Sequence, residues 1–434
     1  MQPLYPAIRH YPWGSTTLIP KLAGQPVTGE HVAELWFGAH PAAPAHLAAP
    51  EGGTTSLDQV IAVDPEYQLG ARVEQSADSR LPFMLKLLAA DEPLSLQAHP
   101  SKAAAEEGFA RENAAGLALD DPQRNYKDAN HKPELIVALT PFRALAGFRS
   151  IADTQRLFDA LDCAQLQPYA QMLAVDDTES ARLHKLFRRW VTLDDDERAA
   201  LITAIVDKSQ AVIAGATGLP AWMLDSLHTV VDLQRRYPGD TGVLGALLLH
   251  HVSLDPGQAL CLEAGQLHAY LAGMGVEIMA NSDNVLRGGL TAKHVDVPEL
   301  LSVLEFSSVA NPVVHAEQTQ PGRYRYPSHA AEFVLERVEL DSAQPQVRIS
   351  HDGPVVVLVT RGQVQASAGS AQMLAAAEAV WLPAGDGPCE FSLAANVGAG
   401  AGRGAADTGA GAGVSADNSA PYAAGTAELF IARA

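Results

Sequence analysis

Between Tyr126 and Glu134 the chain reads Tyr-Lys-Asp-Ala-Asn-His-Lys-Pro-Glu, so carboxylates, ammonium groups and an imidazole crowd the entrance to the apolar residues 135–139. Packing alone gives no reason to gather that much polar chemistry at the mouth of a strand. Residues 93–100 alternate as a strand does: Leu94, Leu96 and Ala98 face one way, Ser95, Gln97 and His99 the other. An imidazole and an amide oxygen so spaced on one strand can share a metal ion; a half-buried strand with a solvated face is the other reading. In residues 263–300, His268 and Tyr270 share a strand face, and Glu277, Met279 and Asn281 share another. Arg287 stands just before Gly288 and Gly289, where missing side chains let a backbone or ligand approach closely.

These segments, in this order, resemble type I phosphomannose isomerases. Residues 126–134 fit that family's Tyr-x-Asp-x-Asn-His-Lys-Pro-Glu signature, and Gln97 to Pro100 fit its Gln-x-His-Pro pair. Gly265 to Tyr270 and Ser282 to Lys293 fit its downstream motifs, while Tyr11-Pro12-Trp13-Gly14-Ser15 and Ala33 to Pro41 look like its opening. The likeness is dense to about residue 310, apart from a helical stretch in the middle.

The resemblance implies one zinc ion per chain on Gln97, His99, Glu134 and His268. Two imidazoles, a carboxylate and an amide oxygen suit a borderline divalent ion, Zn²⁺ first, with Mn²⁺, Co²⁺ or Fe²⁺ as alternatives. It also implies an aldose–ketose isomerisation of mannose 6-phosphate and fructose 6-phosphate through a cis-enediol. The family marks Arg287, whose fixed guanidinium donors suit a developing enediolate. Lys132 and Glu277 are both candidates for the proton-transfer base, and His131 is expected to point away from Lys132 in a structural role. Tyr270 either donates to a sugar oxygen or is a packed tyrosine. By resemblance Ser95, Lys86 and Lys293 hold the phosphate. Lys86 sits among Phe83, Met84, Leu85, Leu87 and Leu88, where an unpaired ammonium is costly. Lys86→Met is therefore expected to raise KM more than it lowers turnover. Alternatives are another phosphosugar as substrate, a metal-dependent cupin oxygenase, and a binding module without turnover.

A net charge of −20 argues against nucleic-acid partners and anionic membrane surfaces, and means that a phosphosugar needs a local cluster of cations. Lys86, Lys132, Arg287 and Lys293 are the candidates. Cys163, Cys261 and Cys389 lie far apart without metal spacing, as in a reduced cytoplasmic protein. No signal peptide is evident, and no apolar run approaches the roughly 20 residues that span a bilayer. A monomer is expected, with a weak homodimer as the alternative.

The elements that must position these residues read as mainly β with an α insertion: two cupin-like jelly-roll β units plus an all-helical domain. Residues 1–149 and 251–312 form the expected catalytic cupin-like domain, 150–250 the helical insertion and 313–434 the C-terminal β unit. In the insertion Leu183, Leu186, Phe187 and Trp190 make one helical stripe. Leu201, Ile202, Ile205 and Val206 follow the acidic helix start 194–197, and Leu224, Leu227 and Val231 form a third stripe. Trp190 and Trp222 are read as core. Residues 354–362 and 379–385 are expected strands of the last unit, which lacks a His/Glu set of its own. Residues 394–425, rich in Ala and Gly, are expected to be a flexible loop, with 427–432 closing the sheet.

Overall fold

The computed structural model describes residues 1–49, 52–215, 217–394 and 425–434. Residues 395–424 of the expected loop lie outside that set.

Its strands pair in antiparallel fashion in sheets of eleven, nine and four. In the largest sheet Glu34–Gly38, Phe83–Ala90, His268–Ala280, Glu134–Ala138 and Ala259–Leu262 lie side by side. The long strand His268–Ala280 also belongs to a second ladder, where His268 pairs with Gln97 and residues 268–272 pair along Phe142–Phe148.

A bulge between Tyr270 and Ala272 separates the two ladders, and Gly273 beside it has a φ of 116°. A Cβ on Gly273 would lie 2.6 Å from the Pro141 carbonyl oxygen, so only glycine fits. The extra residue changes the phase of the strand. Tyr270 and Glu277 are an odd number of residues apart and would face opposite ways in an unbroken strand. Instead the Tyr270 hydroxyl donates to Glu277 Oε1 at 2.9 Å. The two faces read separately from the sequence are thus one face.

Among the described residues, six α-helices, from Ile151–Leu161 to Thr241–Gly245, and one short 3-10 helix, Ala164–Leu166, lie between Phe142–Phe148 and Leu249–Leu254. Several of their starts are capped by side-chain oxygens: Ser150 accepts from the Asp153 amide and Thr178 from the Ala181 amide. Leu183, Leu186, Phe187 and Trp190 are fully buried as their spacing predicts. In Ala221–Arg236 the buried stripe is Met223, Leu227, Val230 and Leu233, while Leu224 and Val231 are only half buried. A 3.6-residue period allows neighbouring stripes, and docking chooses between them. Trp222 is half buried beneath the Arg149 guanidinium rather than enclosed.

Helices Pro65–Ser76 and Lys102–Ala114 interrupt the region read as β-rich. The second is built of Ala, Glu and Gly without an apolar stripe, so periodicity gave no sign of it. It packs Gly108 against the Tyr126 ring so closely that a Cβ would lie 2.3 Å from it.

The C-terminal strands form the nine- and four-stranded sheets, whose inner faces share a core including Val357, Val364, Val380, Phe391 and Leu429. Gln2–Tyr5 pairs with Ala379–Leu382, and so joins the last unit's sheet. The other face of that sheet contributes Leu358, Trp381 and Phe430 to a core with Phe37, Leu85, Val276 and Ile278. The two β units therefore share an apolar core.

Candidate metal centre and substrate cavity

Trp36 lies opposite Lys86, and Lys86 opposite Glu277, in three adjacent strands. Their side chains leave one face of the sheet, joined by Glu34 two residues before Trp36. Glu134, opposite Met279 on the far side of the long strand, shares that face. Lys86 Nζ lies 3.1 Å from Glu277 Oε2 and 3.5 Å from Glu34 Oε1. Trp36 Nε1 donates to Glu34 Oε2 at 2.8 Å. Burial favours neutral Lys86, but Glu34 and Glu277 outweigh it and hold its pKa above the usual lysine range. Burial pushes Glu277 up, against the pull of Lys86. Two buried carboxylates share one ammonium.

His99, Glu134 and His268 converge with a donor atom of each within 4.8 Å of the others. His99 Nε2 lies 3.4 Å from Glu134 Oε1 and His268 Nε2 3.5 Å from Glu134 Oε2. The other ring nitrogens are committed: His99 Nδ1–H donates to the Asn284 carbonyl at 2.8 Å, and His268 Nδ1–H to the Gln266 carbonyl at 3.0 Å. Those bonds fix the tautomers and turn two Nε2 lone pairs toward a carboxylate. Burial pushes His99 down to about 4. Burial would raise Glu134, but Lys132 and the imidazoles outweigh it and hold its carboxyl well below the usual range. His99 Nε2 and Glu134 Oε2 are buried without hydrogen-bond partners among the described residues. Acceptors so exposed to one another repel, and leaving them unpaired costs about 1–3 kcal/mol each. A cation between them removes both penalties, so these residues fit a metal ion of the zinc type.

Gln97 adjoins this set with Nε2 3.4 Å from His268 Nε2, while its oxygen accepts from Ser95 Oγ at 3.3 Å. Rotating the amide by half a turn would aim the oxygen at the histidine side. Lys132 Nζ is 3.2 Å from Glu134 Oε1. His131 turns the other way and pairs with Glu332. Arg287 lies opposite Gln97 across the Leu96–Ala98 and Leu286–Gly289 strands. Burial lowers its pKa, and burial and the Arg287 charge lower that of Lys293. Neither side chain has an ion-pair partner among the described residues.

A cavity of about 210 Å³ opens on this chemistry, lined by Gln97, Lys86, Lys132, Glu134, Tyr270 and Glu277 among others. A larger hollow of about 410 Å³ among the helices, beside Tyr169, Met172 and Leu201, holds no such donor set. Glu34, Trp36 and Asp283 also line the smaller cavity, and sequence reading gave them no role. The signal for Glu34 was present: a carboxylate and an indole alternate within the apolar run Glu34–Gly38.

A buried His–Glu–His set at the mouth of a cupin-like sheet defines a mononuclear metal enzyme. Comparison with known proteins narrows this. The profile of the phosphomannose isomerase type I catalytic domain matches residues 1–151. Mannose-6-phosphate isomerase of Escherichia coli (strain K12) is 36% identical over 391 residues, covering 89% of this chain and 96% of that protein. That of Salmonella typhimurium is 40% identical over 307 residues, covering 70% of this chain and 75% of its own. A zinc-bound crystal structure of mannose 6-phosphate isomerase superposes with a TM-score of 0.83 at 30% identity, covering 100% of this chain and 98% of its own. The chain belongs to the type I phosphomannose isomerase family.

Proposed function

We propose that this protein is a zinc-dependent isomerase interconverting mannose 6-phosphate and fructose 6-phosphate. The observation that carries the metal is the inward-facing pair of unpartnered acceptors, His99 Nε2 and Glu134 Oε2. His99, Glu134 and His268 would hold the ion, with Gln97 completing the set after its amide turns. Zinc bound there supplies Lewis-acid polarisation of a substrate oxygen.

The reaction moves a proton from C2 of the open-chain sugar to C1, through an enediol. Glu277 is the proposed base: its carboxylate reaches the cavity and is held by Lys86 and the Tyr270 hydroxyl. Its raised pKa makes it a better proton acceptor than an ordinary glutamate. Lys132, beside Glu134, is the rival.

Lys86 takes a different role from the one expected. Two carboxylates within 3.5 Å neutralise it, and a phosphate dianion arriving there would meet both. We assign Lys86 to holding Glu277, and the phosphate to Arg287 and Lys293, with Ser95 nearby. Arg287 then serves the phosphate on C6, while the enediolate forms at the far end of the open-chain sugar, beside Glu277 and Lys132. No helix among the described residues is long and apolar enough to cross a membrane. We propose a cytoplasmic monomer.

The test is a coupled assay of mannose 6-phosphate conversion before chelation, after it, and after Zn²⁺ is restored. Activity lost and recovered supports the reading; no activity in zinc-loaded protein removes it. Solvent deuterium incorporation at C2 in Glu277→Gln and Lys132→Met separates the two bases.

A further inference from the structure

Asn284 is fully buried. Its side-chain oxygen accepts from the Lys127 amide at 2.7 Å and the Asp128 amide at 3.3 Å. Its side-chain nitrogen donates to the carbonyls of Asp128 and Asn130, both at 2.8 Å, and to Asp128 Oδ1 at 3.2 Å. Asp128 answers by accepting from Ser282 Oγ at 2.9 Å and the Asp283 amide at 2.8 Å. The turn 282–284 and the loop 127–130 are thus fastened mainly through one amide side chain. That loop leads directly into Lys132, and the turn leads into the strand bearing Arg287.

The same residue's backbone carbonyl is the acceptor for His99 Nδ1–H at 2.8 Å. Asn284 therefore meets the loop with its side chain and a metal ligand with its main chain. A shift of the turn when the side-chain bonds are lost would move the acceptor that orients His99. Groups that orient a metal-ligating histidine typically change metal affinity by about 10–100-fold when disturbed.

We infer that Asn284 is a positioning residue that couples the metal site to the order of the loop carrying Lys132, so that metal affinity and loop order depend on each other. The coupling is reciprocal: whatever loosens the loop weakens metal binding, and metal binding steadies the loop. A side chain that only fastened a loop would leave metal affinity alone. This inference rests on reading His99, Glu134 and His268 as the zinc ligands.

The experiment measures Zn²⁺ affinity by competition with a chromophoric chelator, and amide hydrogen exchange in residues 127–132 with and without Zn²⁺. It uses full-length wild type, Asn284→Ala and Asn284→Asp. Asp keeps the size and the acceptor oxygen but lacks the donors facing two carbonyls, so it serves where Ala does not fold. Exchange in the distant strand Val355–Arg361 reports whether the fold is intact. The expected result is that zinc slows exchange of the loop in wild type. In the variants the loop exchanges faster, zinc binds about tenfold or more weakly, and the distant strand is unchanged. Faster loop exchange with wild-type zinc affinity overturns the coupling, as does wild-type behaviour in both. Wild-type protein that binds no zinc would instead overturn the reading of the ligands.

Discussion

Replacing Lys86 by Met separates the two roles open to this lysine. Methionine keeps an unbranched apolar stem and deletes the ammonium between Glu34 and Glu277. At the observed 3.1 Å, the attraction between Lys86 and Glu277 is about 5 kcal/mol for an effective dielectric of ~20, an upper figure before relaxation. Removing that attraction drives a carboxyl already raised by burial further toward its protonated form. If ionised Glu277 is the base, turnover falls by about 100-fold or more, and the acidic limb of kcat/KM moves to higher pH. KM stays within about threefold, because the phosphate cations are untouched. Breaking a buried pair also costs about 3–5 kcal/mol of stability, part of which protonation returns. Steady-state kinetics across pH 5–9, with melting curves as the control, give the answer. A tenfold or larger rise in KM with turnover retained would refute the reasoning and return Lys86 to the phosphate.

Other substitutions test the remaining assignments. Lys293→Ala should raise KM by about tenfold with little loss of turnover, and Arg287→Lys, which keeps the charge but loses the fixed fork, should raise it by about tenfold as well; kinetics with mannose 6-phosphate check both. In metal-free protein His99 titrates near 4 instead of its usual 6.5, so the unfolded chain binds the extra proton between those values. His99 thus contributes stability that is complete above pH 6.5 and is lost as pH falls to about 4, by roughly 3 kcal/mol. The unfolding free energy of chelated His99→Gln should be correspondingly less steep over that range. Gly108→Ala drives a methyl into the Tyr126 ring and should cost about 1–3 kcal/mol in denaturant unfolding, with the far-UV spectrum retained.

The proposed metal donors could be picked out in the sequence because each sits in a local pattern. Gln97 and His99 alternate on one short strand, and Glu134 begins another at the end of a polar run. The partnership of Glu34, Lys86 and Glu277 was not, since their contact depends on the lateral order of three strands. No periodicity within a strand reports which strand lies beside it. Tyr270 and Glu277 were read onto separate faces because alternation assumes an unbroken strand, and the bulge beside Gly273 breaks it. Asn284 escaped notice for a further reason. A buried asparagine with its bonds satisfied looks in sequence like any turn residue, and only the loop folded over it reveals its partners.

Pairing sorts the four cations first grouped by charge alone. Lys86 and Lys132 each lie within 3.5 Å of a carboxylate, so their charge is already answered inside the protein. Arg287 and Lys293 lie close enough to depress the pKa of Lys293, and no carboxylate among the described residues pairs with either. Two neighbouring cations without a carboxylate partner among the described residues are placed to receive an anion. Gln97 stands between these groups, lining the cavity and lying opposite Arg287 in the sheet. We propose that the substrate lies with its phosphate at the Arg287 end and its C1 and C2 atoms toward Glu277 and Lys132. That orientation would put the fixed charge of the phosphate at the cations without partners, and leave Glu277, whose pKa burial raises, to the carbons that exchange hydrogen.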